Sequence, residues 1–120
     1  MTDWRISTKV NKYNIEITEL AEQDLEDASD YIAYEKQNLS AAINLVNGIR
    51  ETINTLDKLP ERFELDDDEQ LADIGIRTVY YKNYKIFYLI KDNTVYIVRI
   101  LHMLVDSKAW LYRTLEKFHI

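Results

Sequence analysis

The chain has 120 residues, 47% hydrophobic and 30% charged with a net charge of −6, enough for one domain with a real core and too apolar for intrinsic disorder. It has no cysteine and only His102 and His119 as histidines, which excludes a disulfide scaffold, a cysteine nucleophile and a thiolate or histidine-rich metal centre. Two glycines and one proline leave no Gly-rich phosphate loop, and no apolar run approaches the ~20 residues of a membrane span. The opening Met1–Arg5 lacks a signal-peptide core, so a cytoplasmic protein without a membrane, metal or cofactor requirement is expected.

Residues 1–12 read as a polar leader and 13–120 as a single domain. Tyr13, Ile15 and Ile17 alternate with Asn14, Glu16 and Thr18, the period of a half-buried strand. Thr18 is placed to cap a helix whose first turn holds Glu19 and Glu22, and whose apolar stripe from Leu20 to Ile32 runs to about Gln37. Ser40 is the expected cap of a second helix with the stripe Ala42, Leu45, Val46, Ile49, Ile53 and Leu56, stopped by Pro60. Together they predict an αα-hairpin with Glu and Asp on its outer face.

Residues 61–74 read as an acidic loop built on Glu64, Asp66, Asp67, Asp68 and Glu69. Its oxygens suggest calcium, but the glycine and terminal glutamate of an EF-hand loop are missing, so a solvated loop is expected. From Gly75 the composition turns β-branched and aromatic. Ile76–Tyr81, Tyr84–Lys91 and Thr94–Leu104 read as strands joined by turns at Lys82-Asn83 and Asp92-Asn93. Asp106 or Ser107 then opens a last helix through Ala109, Trp110, Leu111 and Leu115. The order β-α-α-β-β-β-α predicts an α+β fold, an antiparallel sheet with the helical hairpin across one face.

Charge is segregated along this order: +2 over residues 1–15, −13 over 16–73 and +5 over 74–120. A basic sheet region is thereby separated from an acidic hairpin, which suits an acidic or polyanionic partner as well as plain solvation. Arg77, Lys82, Lys85 and Arg99 form one basic patch if they share a face of the sheet, and scattered charges if they alternate. Arg99 lies among Ile97, Val98, Ile100 and Leu101, so it must be paired with an acid or line a cleft. His102 is a candidate acid–base group. Asp106 either bonds it or caps the last helix, the cap being favoured. Asp24 and Asp27 read as a solvated helix face. Tyr80, Tyr81, Tyr84 and Tyr88 read as core-filling rings rather than a stacking platform for bases.

The segments Gly75-Ile76-Arg77, Tyr84-Lys85-Ile86-Phe87-Tyr88 and Val98-Arg99-Ile100-Leu101-His102 with Asp106, together with the helix opening Thr18–Leu25, resemble the RelE/ParE superfamily over about residues 13–112. These are toxins of bacterial type II toxin–antitoxin modules. The resemblance implies the RelE/ParE-like fold and a growth-inhibiting toxin neutralised by a cognate antitoxin. The Arg-Ile-Leu-His ending followed by Asp106 resembles the ParE branch, which implies DNA gyrase as target and a plasmid-stabilisation role. The RelE branch instead implies an endoribonuclease that cuts messenger RNA on the ribosome, with Arg77, Lys85 and His102 as its charge and proton groups.

Two departures weigh against the nuclease. Lys85 stands where those members carry arginine, and loses the bidentate fork. Met103, Leu104 and Val105 stand where they carry Arg, His or Tyr. A binding module on the same fold that has lost activity is a third reading. The expected target- and antitoxin-binding residues are Arg77, Lys82, Lys85, Arg99, His102, Asp106 and Trp110, and a homodimer is compatible with them. An antitoxin helix or strand is expected against Met103–Val105 and helix 107–117, or against the hairpin, with basic residues facing its acids.

Overall fold

A computed structural model describes residues 12–117. The expected leader therefore lies outside the described residues apart from Lys12, which forms a bridge with Lys58. The elements are β1 (Asn14–Ile17), α1 (Glu19–Asp30), α2 (Leu39–Asn54), α3 (Glu69–Ile74), β2 (Arg77–Tyr81), β3 (Tyr84–Lys91), β4 (Thr94–His102) and α4 (Ser107–Lys117). The sheet order is β1-β4-β3-β2. The meander β2-β3-β4 is antiparallel as expected. β1 joins it in parallel on β4, which the long crossover through the hairpin and the first two meander strands makes possible.

Thr18 caps α1 by accepting a hydrogen bond from the Ala21 N–H at 3.2 Å. The helix buries Ala21 and Leu25 and then loosens into a π-turn at Tyr31–Glu35. Gln37, at φ 52°, reverses the chain. The second cap is Asn38, whose side chain accepts from the Ala41 N–H at 3.0 Å, and not Ser40. Two capping residues stand two positions apart, and the tighter reversal selects the earlier one. α2 ends at Asn54 and a 3₁₀ turn covers Thr55–Asp57, ahead of the expected stop. Pro60 disfavours helical geometry in the residue before it, and Leu59 sits at φ 49°. Arg62 ties the turn together, its guanidinium donating to Leu59 O at 3.1 Å and Thr55 O at 3.4 Å in addition to the backbone N–H groups those carbonyls accept.

The expected acidic loop is corrected over its second half. Asp68 caps α3 through the Leu71 N–H at 3.2 Å, and Gly75 ends it at φ 104°. Six residues are too few to show helical period, although the cap and the stop were both written in the sequence. Leu71 is the residue this helix buries.

Two cores flank the sheet. On one face α1 and α2 pack Leu25, Leu45, Ile49 and Ile53 against Ile86, Tyr88, Val95 and Ile97. On the other, α3 and α4 bring Leu71 and Leu111 onto Phe87, Leu89, Val98 and Leu101. Gly48 lets α2 approach the sheet: a Cβ there would lie 2.0 Å from the Tyr81 ring. Gly48→Ala gains up to about 1 kcal/mol of helix propensity. The overpacking costs about 1–3 kcal/mol, so a net loss in denaturant midpoint is expected, and in a Tyr81→Ala background the Gly48→Ala step should no longer lower it.

Candidate functional site

Register decides which predicted site residues meet. Opposed residues share a face, and the pairs Arg77↔Tyr88 and Tyr84↔His102 put Arg77 and His102 on the hairpin face. Tyr80↔Lys85 and Lys85↔Leu101 put Lys85 on the opposite, α4 face. Arg77 and His102 are also four rows apart, about 13 Å at the rise of a strand. The three nuclease candidates therefore do not converge.

Arg77 is bound into the fold, its Nη1 donating to Glu61 O at 3.0 Å and to Phe63 O. His102 accepts the Leu104 N–H at Nδ1, 3.1 Å away, and stands edge-on to Tyr84 with ring centroids 5.1 Å apart. Its recorded partners do not include Asp106, which sits exposed just before α4. Lys82 occupies the β2–β3 turn at φ 52° with its ammonium over the Tyr81 ring.

Arg99 meets the condition set by its neighbours. A bulge between Phe87 and Tyr88 in the β3–β4 register turns it to the α4 face. There Nε and Nη2 grip Asp24 at 2.8 and 2.7 Å, and Nη1 donates to Thr114 Oγ1 at 3.0 Å. Its guanidinium also lies 5.0 Å from the Trp110 ring. Asp24 accepts in addition the Ile100 N–H at 2.9 Å, on the edge of β4 where β1 has ended. The expectation that Asp24 is a solvated surface acid is thus corrected: its side chain is 10% exposed and that of Arg99 9%. Asp27 stays exposed and accepts from Gln23. The pairing of Asp24 with Arg99 was missed because 75 positions separate them, and Thr114 was not singled out.

A groove of about 590 Å³ opens between β2, the 63–67 segment and α4. Phe87, Leu71 and Leu111 form its floor, and Thr78, Tyr80 and Lys85 one wall. Beside it Tyr112 donates its hydroxyl proton to Asp68, with Gln70 Oε1 2.8 Å from the same oxygen, and Lys108 pairs with Asp68 at 3.1 Å. The Tyr112 hydrogen bond, with Lys108 second, holds the Asp68 carboxyl below its usual value, while the same bond pushes the Tyr112 phenol up to about 12. At the strand end Met103 and Leu104 are exposed, Leu104 by 87%. Among the described residues no three His, Cys, Asp or Glu side chains cluster as a metal site, and no helix is long and apolar enough to cross a membrane.

Alkaline stability follows from the phenols. Tyr88 is pushed up to about 12 by burial, and Tyr112 to about 12. The native state keeps protons that the unfolded chain releases from about pH 10, so stability is full below that pH and falls toward pH 12. A thermal midpoint flat to about pH 9 and dropping above 10 is expected, with a shallower drop in Tyr88→Phe.

The fold has counterparts. The chain matches the family described as the ParE toxin of the type II toxin–antitoxin system parDE over residues 15–106, and it belongs to that family. The chromosomal ParDE toxin–antitoxin system of P. aeruginosa shares the fold, with a TM-score of 0.64, 18% identity, and coverage of 77% of this chain and 97% of that one. The RelBE2 toxin–antitoxin complex of Mycobacterium tuberculosis is also similar, with a TM-score of 0.55, 23% identity, and coverage of 76% and 91%. No curated protein matches the sequence.

Proposed function

We propose that this chain arrests growth by binding a protein target, DNA gyrase, in the cytoplasm, and that a cognate antitoxin holds it inactive. The observation that carries this reading is the dispersal of Arg77, Lys85 and His102 over two sheet faces. Cutting RNA by in-line attack needs a base, an acid and cations around one phosphate. The strand end offers Met103, Leu104 and Val105 instead, which move no protons. Membership of the ParE toxin family supports the same side. Leu104, Met103 and Trp110, the last 41% exposed, are apolar groups open to a protein partner.

Purified chain added to gyrase should stall supercoiling of relaxed plasmid while leaving messenger RNA on translating ribosomes intact. Message cleavage with supercoiling untouched would establish the interferase reading instead. Neither effect, together with harmless induction at confirmed soluble expression, would mark a binding module without toxicity.

A further inference from the structure

Two of the cations that the sequence sets on the sheet are held inside the fold. Arg77 donates to Glu61 O and Phe63 O, and Arg99 grips Asp24 and Thr114. Lys108 is paired with Asp68 at 3.1 Å. The acids opposite them are only partly engaged. Asp66 accepts the Asp68 N–H at 2.8 Å, and Asp68 caps α3. Glu64 and Asp67 stand exposed, in no ion pair recorded among the described residues.

These two line the groove together with Asp66 and Asp106. β2, an edge strand of the sheet, walls it, and Leu71, Phe87 and Leu111 floor it. With Lys108 paired, Lys85 alone among the lining residues balances the acids. The acidic lining extends the charge of residues 16–73, which sum to −13. An apolar floor under an acidic rim complements an apolar side chain flanked by lysine or arginine.

An enzyme that holds DNA presents such cations, because its affinity comes from neutralising phosphates. Carboxylates compete with phosphates for the same cations, while a chain of net charge −6 is repelled by the duplex itself. We infer that the groove docks on the lysine- and arginine-lined surface with which the target holds DNA, so that chain and DNA exclude one another there. This rests on the reading of the chain as an inhibitor of DNA gyrase. Glu64 and Asp67 meet cations that otherwise face phosphates, and the floor takes a neighbouring apolar side chain. Exclusion of DNA arrests the enzyme without any reacting group on the chain.

The test uses the full chain and the gyrase holoenzyme. A duplex present at about ten times its own Kd for gyrase should weaken binding of the chain about tenfold, the factor of simple competition. Glu64→Lys with Asp67→Lys should raise the concentration for half-inhibition of supercoiling at least about tenfold, at an unchanged unfolding midpoint. Glu35→Lys with Glu51→Lys, exposed on the hairpin and equal in charge change, should shift it less than about threefold. Gyrase that binds the chain as well or better with DNA in place overturns the inference and leaves the gyrase reading standing. So does a rim variant as potent as the parent, or a hairpin variant that loses as much as the rim variant. A parent chain that neither binds gyrase nor stalls supercoiling overturns both.

Discussion

Asp24→Ala is expected to cost about 3–5 kcal/mol, because it leaves the buried Arg99 guanidinium without its counter-charge. The pair is bidentate, at 2.8 and 2.7 Å, and both side chains are nine-tenths buried. The same carboxylate also accepts the Ile100 N–H, so its removal opens the β4 edge beyond β1. Asp24→Asn keeps an acceptor for that N–H but not the charge, and should fall between wild type and alanine. A hydrophobic exchange of both partners, Asp24→Leu with Arg99→Met, should recover most of the loss, since desolvation offsets much of what a buried ion pair contributes. Urea midpoints of the three variants, compared at equal slope, check this. The C-terminal helix should respond too. Thr114 donates to the Trp110 carbonyl and receives Arg99, and the Arg99 and Arg113 guanidinium groups lie 5.0 and 5.5 Å from the Trp110 ring. Exchange of the α4 amides should therefore quicken before that of β3.

Tyr88→Ala is the second large effect, about 3–5 kcal/mol for a fully buried aromatic ring. Tyr88 has no exposed surface and sits at the centre of the hairpin-side core. Its hydroxyl donates to Pro60 O at 2.6 Å, tying β3 to the turn that ends the hairpin. Tyr88→Phe isolates that bond: it leaves a buried carbonyl unpaired and should cost about 1–3 kcal/mol. The difference between the two variants is the cavity. Calorimetric unfolding of both separates the contributions, and an alanine variant no worse than the phenylalanine one would mean that the hairpin collapses onto the space.

The elements were largely legible where local chemistry fixes them. Thr18 announces α1, and the Tyr84–Lys91 strand has its observed bounds because two-residue turns sit at Lys82-Asn83 and Asp92-Asn93. The αα-hairpin was legible from its two stripes, but its reversal was not, since Asn38 and Ser40 are both fit caps and only the Gln37 geometry chooses. The separation of Arg77 from Lys85 was available in principle: a two-residue turn pairs Tyr81 with Tyr84, and parity then sends them to opposite faces. The place of Arg99 was not available, because it depends on a bulge that shifts the register by one residue. The requirement for a partner was nevertheless legible in its apolar neighbours. The partner itself, Asp24, is joined across 75 positions, a distance over which sequence spacing carries no signal.

The site divides in the same way. Lys85 and Asp106 do border the groove, whereas Arg77 and Arg99 serve the fold through carbonyls and a carboxylate. Tyr80, Thr78 and the acidic rim were not legible as the lining of one groove because they come together only when the 63–67 segment folds back along β2. A strand edge becomes visible only once the order of strands is known.

The central claim is recognition by a surface, without acid–base chemistry, and His102 tests it most directly. It is the histidine among the described residues, placed at the strand end that nuclease chemistry would use. His102→Gln, induced at equal soluble expression and with an unchanged unfolding midpoint, should arrest growth within about twofold of the parent chain, since a group that moves no proton contributes no proton-transfer rate. A loss of about 100-fold or more, the scale of a missing general acid or base, would contradict the account.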